Sequence, residues 1–292
     1  MTHLEQNGPV ALAEYAQKAP KLIALLVQQS GAVFHITLNR PESRNAMSLQ
    51  MVSELRQVLA DAEASIGTPD AVRAVVLRGT GGHFCAGADL KDMAAARMRA
   101  MQAAGTGAPD PIAEVNAAFG ELCAAYARTP LAVVAVLEGT VMGGGFGLAC
   151  VADVAIASET ATFRLPETSL GVVPAQIAPF LVERLGYSQA KRLAVTGGRL
   201  DAAAALRTGL VHAVVDSASL QTEIDRVLAD ILACAPWALA ATKALMARAR
   251  LQAPHDLIQH AAAIFSQAAQ SPEGLEGMTA FIQKRKPQWA LS

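Results

Sequence analysis

Two glycine-containing segments carry the residues whose types and spacing could do chemistry. Residues 84–93 read FCAGADLKDM and lead into a helical pattern, and residues 139–147 read GTVMGGGFG and also open a helix. A helix start without side chains in the way leaves backbone N–H groups free to bind a developing negative charge. A tight strand-to-helix turn explains a triple glycine equally well. Either segment alone therefore leaves both interpretations open.

The elements around these segments alternate short apolar strands with helical patterns. Strand-like runs lie at residues 22–27, 32–38, 74–77, 132–137 and 154–156. A helix is predicted from Ser48, because apolar residues recur at helical spacing from 51 to 62. This alternation favours an α/β core whose strands are buried on both faces. The predicted division is an N-terminal extension over 1–21, the core over 22–216 and a helical C-terminal region over 217–292.

Composition narrows the class of protein. The 292 residues are 52% apolar with a formal net charge of −1, which indicates a sizeable core and predicts no nucleic-acid or membrane partner. The longest apolar run, 131–137, is too short to span a bilayer. The four cysteines, Cys85, Cys123, Cys150 and Cys234, are widely spaced and form no metal-ligand pattern. We expect a cytoplasmic protein with buried thiols and no metal site.

Together, the two glycine segments resemble the crotonase superfamily, which comprises the enoyl-CoA hydratases and isomerases. Further stretches match its motifs: LNRP at 38–41 with NAMS at 45–48, ACVAD at 149–153, FRLPE at 163–167 and EGMTAF at 276–281. The resemblance spans most of the chain, from residue 22 to residue 288. It implies an α/β fold with a crotonase-type ββα spiral core and a helical C-terminal trimerisation region. The implied assembly is a homotrimer or homohexamer.

The resemblance also assigns roles to residues. Two backbone N–H groups, those of Ala88 and Gly144, hold the thioester oxygen of an acyl-CoA substrate, and Glu167 carries the proton. Coenzyme A arrives as part of the substrate, so no separate cofactor is implied. The residues matched to coenzyme A binding are Arg44, Ala46, Ala86, Ala88, Asp89, Leu90, Lys91 and Gly144, with Phe281 and Lys284 from a neighbouring subunit. Phe265 either joins these last two or belongs to the core.

One acid/base group that is typical of the hydratases is absent. They carry a second glutamate two residues after the triple glycine, where this chain has Gly147. One carboxylate suffices to move a proton between two carbons, as an isomerase requires. Hydration needs a positioned water as well. Asp92 and Glu138 are candidates for the missing acid, and His83 is expected to be a turn residue.

A second local feature favours hydration. Residues 174–180, PAQIAPF, resemble methylglutaconyl-CoA hydratase-like proteins of leucine breakdown and the related isohexenylglutaconyl-CoA hydratase of acyclic-terpene breakdown. The resemblance therefore predicts a hydro-lyase that adds water to a branched enoyl-CoA of this type. The alternatives are an isomerase that uses Glu167 alone and a catalytically silent binding protein. The second carboxylate of a glutaconyl group needs a cation or a helix terminus, and Arg164 is one candidate.

Overall fold

The computed structural model describes residues 22–103, 105 and 107–290. The first two strands, β1 (Leu25–Ser30) and β2 (Val33–Leu38), form an antiparallel hairpin where the first two strand-like runs were predicted. The strands that follow are β3 (Ala74–Gly79), β4 (Ala132–Leu137), β5 (Thr140–Met142), β6 (Val154–Ser158), β7 (Thr162–Arg164), β8 (Arg199–Asp201) and β9 (Ala213–Val215). They form a sheet in the order β1-β2-β3-β4-β6-β9, parallel from β2 onward, and a smaller sheet in the order β5-β7-β8.

Helices alternate with these strands and then continue alone to the C-terminal end of the described part. They are α1 (Leu49–Ala64), α2 (Leu90–Ala103), α3 (Pro111–Arg128), α4 (Gly144–Val151), α5 (Ala178–Thr196), α6 (Ala202–Arg207), α7 (Leu220–Leu232), α8 (Pro236–Ala249), α9 (Pro254–Gln270) and α10 (Pro272–Ile282). The start of α1 is as predicted, because the Ser48 side chain accepts the N–H of Met51 at 3.2 Å and caps the helix. The predicted apolar stripe of α1 is buried.

The main sheet is covered on both faces. Successive residues of a strand point to opposite sides. Val75 and Leu77 of β3 belong to a large apolar cluster with residues of α1, α3 and α4, whereas Val76 belongs to a second cluster with residues of α7. The predicted α/β core with strands buried on both faces is confirmed.

Two cations fasten the C-terminal helices to the core. Arg73, next to β3, donates from its guanidinium to the carbonyl oxygens of Leu232 and Trp289, each at 2.9 Å. Lys243 of α8 contacts Oδ2 of Asp153 at 2.5 Å. The division into three segments stays a prediction, and the first of them, 1–21, lies outside the described residues.

Two further expectations concern single elements. No single helix of the described part is long and apolar enough to cross a membrane. The pair α7 and α8, which is bent by 97°, meets the criteria of length and composition for a membrane span only when the two helices are taken together. Burial of the thiols is found for Cys85, Cys123 and Cys150. The prediction is wrong for Cys234, which is exposed because it lies in the turn between α7 and α8.

Candidate active site

A backbone framework holds the first glycine segment in place. Residues 84–89 lie between segment 44–47 on one side and segment 138–142 on the other, with hydrogen bonds of 2.7–3.0 Å to both. Within this framework Met47 pairs with Ala88 as an isolated parallel bridge. In such a bridge the residues that flank Ala88 make the hydrogen bonds. The N–H of Ala88 is therefore turned away from segment 44–47.

Two glycines allow the two segments to touch. Gly87 has a φ of +96° and Gly143 a φ of +48°, in the region that favours glycine. A Cβ atom at Gly143 would lie 3.6 Å from the Cα of Gly87. Gly144 is the first residue of α4, so its N–H has no acceptor within the helix. Among the described residues, neither the N–H of Ala88 nor that of Gly144 has an acceptor.

The three residues expected to do the chemistry line one cavity. Ala88, Gly144 and Glu167 lie on the wall of a cavity of about 580 Å³. The other lining residues fall between 47 and 52, 89 and 93, 110 and 119, and 171 and 177, and most of them are apolar. A mostly apolar pocket of this size with a few polar groups is typical of a small-molecule site.

Glu167 brings to this cavity a carboxyl group with one oxygen that has no partner among the described residues. It begins a short 3-10 turn, Glu167–Leu170, just after β7. Its Oε2 atom is buried and has no hydrogen-bond partner among the described residues. A Cβ at Gly143 would lie 3.1 Å from Oε1, so the carboxyl group is next to the start of α4. Burial raises the pKa of Glu167 above its ordinary value, which brings proton exchange nearer to neutral pH.

The carboxyl group of Asp89 is engaged by an ion pair and by a backbone hydrogen bond. Its Oδ2 lies 2.7 Å from Nη1 of Arg40, and its Oδ1 accepts the N–H of Lys91 at 2.8 Å. Burial acts to raise the pKa of Asp89, but the hydrogen bonds from Arg40 and the backbone outweigh it, so the pKa is lowered. Arg40 also donates to the carbonyl of Ala46 at 2.6 Å. The ion pair therefore fixes the start of α2 next to Ala88.

Most of the other candidates for coenzyme A binding lie outside the cavity lining. The residues that do not line it are Arg44, Ala46, Ala86, Leu90, Lys91, Phe281 and Lys284. Arg44 and Lys91 are exposed cations, which leaves them accessible to phosphate. Phe281 has 85% of its surface exposed at the end of α10. Phe265 is 76% exposed, so a core role for it is wrong.

Comparisons with known proteins identify the family. A family model described as enoyl-CoA hydratase/isomerase matches residues 28–291. The chain belongs to this family. An enoyl-CoA hydratase of Alternaria alternata is 33% identical over 283 residues, which cover 96% of this chain and 88% of that protein. The curated relatives that are named as hydratases support the prediction that this chain is an enzyme.

Solved structures extend the similarity to the fold. An enoyl-CoA hydratase/isomerase from Marinobacter aquaeolei has 50% identity and a TM-score of 0.86, covering 91% of this chain and 99% of that one. Pseudomonas aeruginosa AtuE also has 50% identity and a TM-score of 0.86, and the match covers 92% of this chain and 100% of that one. The resemblance to the superfamily and its fold is confirmed, whereas the narrower subgroup stays a proposal.

The position of the missing glutamate is filled by apolar packing. A Cβ atom at Gly147 would lie 2.4 Å from Cγ2 of Ile177 and 3.5 Å from Cζ of Phe119. Ile177 and Phe119 both line the cavity. A glutamate at position 147 therefore has no room unless Ile177 moves. This chain departs from the two-glutamate pattern in the shape of its cavity as well as in its sequence.

The two candidates for the missing acid have different outcomes. Asp92 lines the cavity, but its Oδ2 accepts the N–H of Leu49 at 2.7 Å and so supports the start of α1. Glu138 does not line the cavity. It pairs with Arg78 at 3.4 Å, so the expectation that it replaces the acid is wrong.

Two other residues near the motifs, His83 and Arg164, make hydrogen bonds with the backbone of the second glycine segment. His83 accepts the N–H of Thr140 at 3.1 Å through Nδ1, a contact between a turn and the start of β5. Arg164 does not line the cavity, so the structure does not support it as a partner for a second carboxylate. Its carbonyl oxygen accepts the N–H of Gly143 at 3.1 Å, which anchors the second glycine segment.

Sequence reasoning missed two amides of the lining, Asn116 and Gln176. Gln176 lies inside the PAQIAPF stretch and was visible as part of a motif. Asn116 lies in α3, where no local pattern distinguishes it from a solvent-facing residue. Only the packing of α3 against the segment around Gln176 brings the two together.

Proposed function

We propose that this chain hydrates a branched enoyl-CoA of the 3-methylglutaconyl or isohexenylglutaconyl type. The observation that carries the proposal is the convergence, in one cavity of the described part, of two N–H groups without an acceptor and one carboxyl group with a buried oxygen that has no partner. Ala88 and Gly144 would hold the thioester oxygen, and Glu167 would transfer the proton. The subgroup rests on the PAQIAPF stretch and on the glycine at 147.

The chemistry follows from where charge develops. As the oxygen of water bonds to the β-carbon, the electrons of the double bond move toward the thioester oxygen and give an enolate. Fixed N–H donors at that oxygen lower the barrier by about 3–4 kcal/mol each. Glu167 takes the proton that the water loses and returns it to the α-carbon. Its raised pKa suits both steps.

Coenzyme A and the assembly belong to the same proposal. Arg44 and Lys91 offer cations to the phosphates, and Ala46, Ala86 and Leu90 lie between them along the two motifs. Phe281 and Lys284 would reach the cavity of a neighbouring subunit in a homotrimer or a dimer of trimers. The exposure of Phe281 in the single chain supports this role, because a large apolar side chain gains by being covered.

A second candidate is double-bond isomerisation by Glu167 alone. The packing of Ile177 against Gly147 favours it, because no second carboxyl group fits there. An isomerase moves one proton between two carbons and needs no positioned water.

The decisive measurement is the product formed in water enriched in heavy oxygen. Purified protein is incubated with 3-methylglutaconyl-CoA, with crotonyl-CoA and with a 3-enoyl-CoA, and the conjugated double bond is followed in the ultraviolet. Heavy oxygen at the β-carbon supports hydration. Migration of the double bond of a 3-enoyl-CoA without oxygen incorporation would identify an isomerase.

Glu167→Gln tests the proton carrier. We expect turnover to fall at least about 100-fold, because general acid–base groups contribute roughly 10²–10⁴ in rate. Binding of coenzyme A thioesters, measured by calorimetry, should persist. Unchanged turnover would place the proton carrier elsewhere. If the wild-type protein showed no turnover and bound no coenzyme A thioester, this result would indicate the catalytically silent alternative.

A further inference from the structure

Two amide side chains meet at the wall of the cavity. Nε2 of Gln176 donates to Oδ1 of Asn116 at 2.9 Å, and both residues line the cavity. Each amide nitrogen carries two N–H groups. The second N–H of Gln176 and both N–H groups of Asn116 have no acceptor among the described residues. The pair therefore presents unused donors.

The carboxamide of Gln176 has a fixed place, one residue before the side chain that fills the position at Gly147. A Cβ atom at Gly120 would lie 2.1 Å from Oε1 of Gln176, so the carboxamide rests against the backbone of α3. Gln176 precedes Ile177, which packs over Gly147. Both amides line the same cavity as Glu167 and Ile177, into which the proposed function places the acyl group.

The rest of the lining offers no other side-chain donor. Among the described lining residues there is no lysine, arginine, histidine, serine, threonine, tyrosine or tryptophan. The other polar side chains are the carboxyl groups of Asp89, Asp92, Asp110 and Glu167. A carboxylate of the substrate would be repelled by these groups and stabilised by amide N–H groups.

We infer that Asn116 and Gln176 form the recognition site for the second carboxylate of the acyl group. The inference rests on the proposed function, since it concerns thioesters of the glutaconyl class. In such a thioester the second carboxylate is two bonds from the β-carbon, so it lies close to the reacting atoms. The pair selects the substrate by donating hydrogen bonds to that carboxylate.

The test compares two thioesters in matched variants. Gln176→Glu keeps the shape of the side chain but places a negative charge against the substrate carboxylate, and Asn116→Leu removes a donor. For each variant, kcat and KM are measured with 3-methylglutaconyl-CoA and with crotonyl-CoA. We expect the ratio of kcat/KM for the first to that for the second to fall at least tenfold, mainly through KM. Gln189→Glu, on the exposed side of α5 beside Arg192, controls for the added charge and should leave the ratio unchanged.

Each other outcome has a separate meaning. An equal loss of kcat with both thioesters would show that the pair orients water or supports the cavity, and would overturn the inference. An unchanged ratio in both variants would also overturn it. Wild-type protein that hydrates crotonyl-CoA but not 3-methylglutaconyl-CoA would refute the substrate class itself, a failure visible before any variant is made.

Discussion

At the scale of single residues, Gly147 has the largest effect on what the cavity can hold. Its missing side chain is not a gap, because Ile177 and Phe119 occupy the space. Among the carboxyl groups of the described lining, Glu167 has a buried oxygen without a partner. The cavity therefore has apolar surface at this position in place of an acid, which suits the branched acyl group of the proposed function.

Placing a glutamate at position 147 should test the packing of Ile177 over Gly147. Gly147→Glu is expected to lower the free energy of unfolding by about 1–3 kcal/mol through overpacking. Combined with Ile177→Ala, which alone costs about 2–5 kcal/mol, the loss should be smaller than the sum of the single losses by at least about 1 kcal/mol. Urea denaturation of the four proteins measures this coupling. Additive losses would contradict the packing of Ile177 over Gly147.

At the scale of elements, two helix starts build the candidate oxyanion site. α2 begins just after Ala88, and α4 begins at Gly144. Both have orphan N–H groups at their first turns. The start of α2 is fixed by the ion pair of Arg40 with Asp89, whose side chains are 23% and 9% exposed. The geometry of the site thus depends on a contact between two loops.

Removing this ion pair should destabilise the fold in a pH-dependent way. Arg40→Met leaves Asp89 buried without its cation and should cost about 1–3 kcal/mol near neutral pH. Because the pKa of Asp89 is lowered in the folded state, its contribution is present above the unfolded value of about 3.9 and is lost as the pH falls through the folded value. The difference between variant and wild type should therefore shrink in acid.

A matched surface pair provides the control for this element. Arg56→Met breaks the exposed contact of Arg56 with Glu121, which is 2.8 Å long. Its expected cost is less than about 1 kcal/mol at any pH, because exposed ion pairs contribute little. Equal costs for the two arginine variants in denaturation curves from pH 3 to pH 7 would show that the buried pair has no special role.

At the scale of the whole molecule, the C-terminal helices leave an apolar surface uncovered. This C-terminal apolar surface comprises Leu251, Ile258, Phe265, Leu275, Met278, Phe281 and Ile282, each at least 49% exposed. Arg73 and Lys243 fasten the helices to the core of the same chain. Large exposed apolar side chains gain by being covered, which suits association with identical copies.

The assembly should depend on this surface. Phe265→Asp replaces one of these apolar side chains by a charge and is expected to shift the proposed trimer or hexamer toward monomers, because an unpaired charge is costly to bury. Analytical ultracentrifugation measures the mass. Tyr187→Asp changes another exposed aromatic residue, on α5, and should leave the mass unchanged. A wild-type protein that is monomeric at micromolar concentration would contradict the proposed assembly.

The local features of the site could be predicted from the sequence. Ala88, Gly144 and Glu167 lie in short motifs, so the resemblance to the superfamily was enough to assign their roles. That the three line one cavity was decided by the tertiary structure, because their segments are distant in sequence. The apolar periodicity likewise predicted α1 and the strands of the core. What fills the position at Gly147 was not predictable, because Ile177 is distant in sequence and approaches only through packing. The pairing of Asn116 with Gln176 was decided in the same way, since long-range contacts leave no mark on the local pattern of either residue.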